Sequence, residues 1–466
     1  MKRLGILLSC AAAATLAGCY SSSTAPLPQP PSHAIRHVVI LLQENRSFDN
    51  LFAGFPGAAT SLQGLCKPGP RWCKTAHEVP LKPTPLAQGS PSFGGKDICH
   101  SHQCFKIECD ANRANVCRND GFNLIDFGQS QGGIPAKLYP YARVRRSDVA
   151  AYWNLAKAYS IADEMFFTET ASSFIAHQSI LSGTVVLNDR ESLTDQPDGM
   201  PWGCDAPPAV VTAVILRNGH VDDFGGPHPC FTQYRTIADL LDAASVSWKF
   251  YVEAAVGKDS DFSGVVWNGF DAIKNVRHGP DWKKNVSMPN ANVLKDVKNG
   301  ALPAVSWVIP TLHNSDHPGS GCNGGPRWVT EVVNAIGKSP YWRDTAVVLL
   351  WDDWGGWYDS VPPPQVNYTR FGFRVPMIVI SPFAKPHSVS HTEYNFGSIL
   401  RFVEQNFGLG SLGTTDASAN SISDIFDFTQ PPNAFTAAPL PHANPCADSA
   451  SDNLEEIIER NRGPLD

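Results

Sequence analysis

The sequence predicts an α/β fold in which a mostly parallel sheet is covered by helices on both faces. Short, unbroken apolar runs, with Val38 to Leu42 and Thr345 to Trp351 the strongest, have the length and β-branched content of strands buried on both sides. Segments with helical spacing lie between these runs, and alternation on this scale builds βαβ units. With 42% hydrophobic and 17% charged residues, the chain has the material for a sizeable core.

Ahead of the first strand, Met1-Lys2-Arg3 and an apolar run to Leu16 read as a secretory leader, which is set aside before fold reasoning. Its ending, Leu16-Ala17-Gly18-Cys19, resembles the lipobox of bacterial lipoproteins. That implies cleavage after residue 18, a lipid on the Cys19 thiol, and an exported chain held at the cell envelope or secreted. Residues 19–34, rich in Ser and Pro, read as a tether. A single domain is expected over 35–440, with a tail over 441–466.

Ten cysteines remain after Cys10 and Cys19, an even number that favours disulfides in an exported protein. Cys99, Cys104, Cys109 and Cys117 lie close together, but their spacing matches no common zinc site, so bridges are expected there too. A net charge of −7 without a basic run argues against nucleic acid as the partner.

The first strand, from His37, ends in Gln43-Glu44-Asn45, where ligands bind in open α/β sheets, beyond the carboxyl ends of strands. Residues 58–120, rich in Pro, Gly and Cys, read as a stapled excursion over that end. It carries Asp97-Ile98-Cys99-His100-Ser101-His102. Helical spacing returns over 150–159 and again over 175–181, which places Ser172 or Ser173 at a helix N-terminus, where free N–H groups favour an anion. Residues 188–230 read as a second irregular excursion.

A helix over 236–244 and strands over 246–252 and 304–310 follow, the last leading to Asp316-His317. A helix over 328–336 precedes the strand 345–351, which delivers Asp352-Asp353. The strand 376–382 and the helix 396–407 complete the pattern.

Three buried strands thus lead into Glu44-Asn45, Asp316-His317 and Asp352-Asp353. Adjacent acids in a dry cleft repel unless they bind a cation, and an oxygen-rich set suits one divalent ion such as Ca²⁺, Mg²⁺, Mn²⁺ or Zn²⁺.

Glu44 to Asp49, Asp97 to His100, Asp120-Gly121-Phe122, Ser315 to Pro318, and Trp351 to Asp359 together resemble the bacterial phosphoesterase family. That family contains phosphatidylcholine-type phospholipases C and a respiratory-burst-inhibiting acid phosphatase. The resemblance runs from about Ile35 to Phe428. It implies an alkaline-phosphatase-like three-layer α/β/α sandwich, and a hydrolase of phospholipid headgroup diesters or of phosphomonoesters acting through a serine-phosphate intermediate. It implies further that Glu44, Asn45, Asp352 and Asp353 hold the metal, that Ser173 is the nucleophile, and that His100 and His317 are active-site histidines. His102 and His177 are second choices, each expected to be structural.

The chain departs from the family twice. The family's Gly-Pro-Ser-x-Pro-Asn-His segment is here Ala171-Ser172-Ser173-Phe174-Ile175-Ala176-His177, and Asp359 is followed by Ser360 where the family often has His. Trp202, Trp354, Trp357 and Tyr358 are candidates for an aromatic box around a choline headgroup, although core packing is the commoner use of such residues. A phosphocholine lipid and a membrane reached through the N-terminal lipid are the expected partners. The contrasting expectation is an exported lipoprotein that keeps the fold and binds metal or ligand without turnover, motivated by the altered nucleophile segment.

Overall fold

A computed structural model describes residues 34–442 apart from 70–72, 74–78, 87–96, 126–133, 258–259, 319, 321–323, 365–366 and 368–369. The proposed leader, the tether up to residue 33, Cys322, Cys446 and the tail from 443 lie outside the described residues.

An eight-stranded sheet organises the chain. Its strands are β1 (His37–Gln43), β2 (Ser160–Ala162), β3 (Trp248–Tyr251), β4 (Val286–Ser287), β5 (Val305–Val308), β6 (Thr345–Trp351), β7 (Met377–Ile380) and β8 (Ser388–Ser390), in the order β4-β3-β5-β1-β6-β7-β2-β8. Neighbours pair in parallel except at β7, which runs antiparallel to both β6 and β2. A fully buried apolar run does not encode its own direction, so this reversal is invisible in the sequence.

Every residue of β6, and every residue of β1 after His37, is buried, so both faces of the sheet are covered. Each buried Val, Leu or Ile there contributes roughly 1.5–3 kcal/mol relative to exposure. Helices form two contacting groups. Gly324–Gly337 touches Ala150–Ala158 and Asn292–Asn299, while Ser173–Ser182 touches Phe396–Phe407 and Ile237–Ala243. Among the described residues no helix is long and apolar enough to cross a membrane.

Among the described residues four disulfides join Cys66 to Cys73, Cys99 to Cys104, Cys109 to Cys117, and Cys204 to Cys230. The four clustered cysteines are therefore paired with one another, as bridges rather than as a zinc site. The second excursion is less irregular than its composition suggests, since Glu191–Pro197, Thr212–Leu216 and Val221–Asp222 form a small antiparallel sheet.

Register sets up the site. Gln43 pairs with Trp351, so the residues after β1 and after β6 emerge side by side, and the Asp352 amide donates to the Gln43 carbonyl at 3.1 Å. The switch point where β1 sits between β5 and β6 is where an open α/β sheet presents its cleft.

Candidate active site

Asn45 turns the chain sharply at the end of β1, with a φ of 55°, a left-handed conformation that asparagine tolerates better than most residues. Its amide donates to Asp352 Oδ1 at 2.8 Å, which locks the two strand ends together. Gly355, at φ 60°, packs so closely that a Cβ there would lie 2.3 Å from the Asn45 carbonyl oxygen. The glycine is required by that approach.

The helix Ser173–Ser182 begins against this turn, capped by Ser172, whose side chain makes no capping bond. Ser173 Oγ donates to Asp353 Oδ2 at 3.0 Å and lies 3.4 Å from Asn45 Oδ1. Asp353 is held in turn by the Gly355 amide on Oδ1 at 2.7 Å. Four residues along the helix, on the same face, His177 Nε2 meets Glu44 Oε1 at 3.0 Å.

Glu44, His177 and Asp352 each offer a ligand atom within 4.8 Å of the others, and all three residues are buried. Glu44 Oε2 and Asp352 Oδ2 are buried with no hydrogen-bond partner among the described residues. Unpaired, buried carboxylate oxygens that converge are costly without a cation, and oxygen donors with one imidazole suit a divalent one. Burial, and then the Asp352 and Asp353 charges, push the Glu44 carboxyl well above its ordinary range. Burial and Asp352 push Asp353 up as well. Burial lowers His177 to about 4, which leaves its ring neutral and able to serve as a ligand or to orient Glu44. The residues present therefore fit a divalent ion.

Two histidines complete the cleft. His100 Nε2 lies 3.0 Å from Asn45 Nδ2, while His100 Nδ1 donates to the Ile98 carbonyl at 2.8 Å. Burial opposes its charge, but Asp353, Asp97 and the Ile98 carbonyl outweigh burial and raise it to about 9. His317 Nδ1 donates to the Pro318 carbonyl at 2.6 Å. Burial lowers its affinity for a second proton, and Asp97 works against that. The Trp267 ring stands 6.5 Å from that of His177, nearly parallel to it, and 5.7 Å from that of His317.

The structure thus brings Glu44, Asn45, Asp352, Asp353, Ser173, His100 and His317 to one cleft. It does not bring His102 there, since that ring bonds Thr170 Oγ1 at 2.9 Å and burial lowers it to about 4. The candidate aromatic box is not assembled. Trp202 packs on Phe174, and Trp354 donates to Glu108 at 2.8 Å. Trp357 packs on Tyr139, and Tyr358 stacks on Tyr141. All four candidates are buried in the core. Asp359 is taken up by Arg374 Nε at 2.7 Å, in a buried ion pair. Sequence reasoning assigned no role to Asp97 or Trp267 and left His177 a second choice, and the structure sets the His177 ring against Glu44. The four-residue spacing from Ser173, and the histidine that closes the family's nucleophile segment, were the signals that pointed to His177.

A model described as Phosphoesterase family matches residues 35–410. Phospholipase C B of Mycobacterium tuberculosis is 25% identical, over 91% of this chain and 85% of that protein. Hemolytic phospholipase C of Pseudomonas aeruginosa is 25% identical over 84% of this chain and 56% of its own length. Non-specific phospholipase C4 of Arabidopsis thaliana is 24% identical over 86% and 73%. The chain is therefore a phosphoric ester hydrolase and belongs to the phosphoesterase family.

Proposed function

We propose that this chain is a metal-dependent phospholipase C that cleaves the glycerol side of a phospholipid headgroup diester through a phosphoserine on Ser173. One observation carries the proposal: a serine hydroxyl at a helix start, 3.0 Å from Asp353 and 3.4 Å from Asn45. The names of the relatives favour the diester over a phosphomonoester. An alkaline-phosphatase-like sandwich is the architecture the family resemblance implies, and a lipid on Cys19 would hold the enzyme near its substrate.

Glu44, Asp352 and His177, with Asn45 and Asp353 beside them, would hold the ion; bound there, it supplies neutralisation of the phosphate oxygens and a lower pKa for the serine hydroxyl. Asp353 Oδ2 directs and takes the hydroxyl proton, which aims a lone pair of Ser173 Oγ at phosphorus. Asn45 and the first amides of the Ser173–Ser182 helix, which have no partner within the helix, receive phosphate oxygens. His317 Nε2 hands a proton to the leaving alkoxide.

Chelation should abolish hydrolysis of p-nitrophenylphosphorylcholine, and one divalent metal should restore it. Calorimetry of the chelated protein should show one ion binding per chain, with affinity about 10–100-fold weaker in His177→Phe. If the wild-type protein hydrolyses neither that substrate nor phosphatidylcholine with any divalent ion, the proposal is wrong. Equal ion affinity in the two proteins would remove His177 from the site.

A further inference from the structure

We propose that Asp97 is a positioning residue shared by two histidines: its carboxylate keeps His317 Nε2 supplied with the proton that the leaving alkoxide takes, and it fixes His100 with Nε2 turned toward Asn45. The inference rests on the serine-phosphate reading above and adds to it the residue that governs leaving-group protonation.

Asp97 is 5% exposed at its side chain, and neither carboxylate oxygen has a hydrogen-bond partner among the described residues. A carboxylate stripped of water and of donors is expensive unless a cation faces it. The guanidinium within its electrostatic reach, Arg46, directs its donors to the Asp316 carbonyl, Asn50 Oδ1 and the Leu86 carbonyl. What faces Asp97 Oδ2 instead is His317 Nε2 at 3.5 Å and His100 Nδ1 at 3.6 Å.

Hydrogen bonds elsewhere on each ring decide what these contacts mean. His317 Nδ1 is committed to the Pro318 carbonyl, so Nε2 is its only nitrogen able to exchange a proton, and Asp97 stands beside it. His100 Nδ1 is committed to the Ile98 carbonyl, so there Asp97 flanks the fixed N–H and leaves Nε2 to Asn45. At 3.5 Å the carboxylate is too distant for a hydrogen bond. It acts through charge, favouring imidazolium at His317 while leaving the Nε2–H free to turn to substrate. His100 and Asp97 sit on one short stretch, whose following loop is closed by the Cys99–Cys104 bridge, and Trp267 shields His317 with its ring.

The protons balance as follows. In the first half-reaction the Ser173 Oγ–P bond forms, the P–O bond to the leaving group breaks, the hydroxyl proton passes to Asp353, and the leaving oxygen takes the His317 Nε2 proton. Water then attacks the headgroup phosphate on Ser173: its oxygen bonds phosphorus as the Ser173 Oγ–P bond breaks, one of its protons goes to Nε2, the other stays on the released phosphomonoester, and Asp353 returns the hydroxyl proton to Ser173 Oγ.

The full chain and its Asp97→Asn variant are compared on p-nitrophenylphosphorylcholine, whose leaving group needs no proton, and on dihexanoyl phosphatidylcholine, whose leaving group is an alkoxide. Loss of assisted protonation should lower kcat on the alkyl ester about 10²-fold or more, but only about threefold on the nitrophenyl ester, with KM moved less than about twofold. His317→Gln should show the same selectivity, and the double variant should fall no further than the worse single one. Equal losses on both esters, no loss on either, or multiplying losses in the double variant would overturn the inference. If Asp97→Asn does not fold, the selectivity of His317→Gln against that of a Asp97→Glu/His317→Gln pair decides by the same criterion. Activity surviving in Ser173→Ala would instead strike the serine-phosphate reading itself, whichever way the leaving-group comparison falls.

Discussion

Ser173→Ala should lose at least about 10⁴-fold in kcat on either phosphocholine ester, since removal of a nucleophile that works within an assembled site costs most of the catalytic advantage. The hydroxyl is buried and makes its hydrogen bonds to Asp353 and Asn45 alone among the described residues, so its removal leaves the backbone undisturbed. Metal affinity measured by calorimetry should stay within a few-fold of wild type, because Glu44, His177 and Asp352 keep their places. Ser172→Ala is the matched control. Its hydroxyl is buried with no partner among the described residues and does not cap the helix, so its loss should cost less than about tenfold. Acid quenching of wild-type turnover should trap phosphocholine on the peptide carrying Ser173. Activity retained in Ser173→Ala, or phosphocholine found on Ser172, would remove Ser173 as the nucleophile.

The core of the fold was legible where burial is total and the element is long. The strand 345–351 and the helix 396–407 have the bounds that the sequence implied, because six continuous apolar residues after Thr345 and a capped amphipathic stretch admit few alternatives. The strands Ser160–Ala162, Val286–Ser287 and Ser388–Ser390 were not legible, since two or three residues carry no period. The polar strand Glu191–Pro197 was lost in a Gly- and Pro-rich surrounding for a similar reason. In the site, acids at strand ends were readable because a buried strand that ends in charge must present it. What could not be read were contacts that register and loop path create. His177 meets Glu44 across 133 residues, and Asp97 reaches His317 only because the excursion folds back over the cleft.

Arg374→Met should destabilise the protein by about 3–5 kcal/mol, seen as a lower urea midpoint, because it breaks a buried ion network by removing its cation. Arg374 is fully buried and binds Asp359 Oδ1 at 2.7 Å, the Ala59 carbonyl at 2.8 Å and the Asp163 carbonyl at 2.6 Å, with Asp49 Oδ1 at 3.7 Å. Asp49 lies just past Asn45, and Asp359 just past Asp353, so the guanidinium clamps together the two loops that carry the site. Asp49 is already pushed up to about 7, by burial first and the Asp359 charge second, with Arg374 opposing. An acid whose folded pKa exceeds its unfolded value of about 3.9 binds more protons when folded, so stability falls as pH rises between the two values. Removing Arg374 raises the folded pKa further and makes that fall larger. The gap between wild type and Arg374→Met should therefore be wider at pH 8 than at pH 5, and adding Asp49→Asn and Asp359→Asn should recover part of the loss at pH 8. A gap that is the same at both pH values would show that the Arg374 charge does not hold these loops, and that its hydrogen bonds to the Ala59 and Asp163 carbonyls account for its whole contribution.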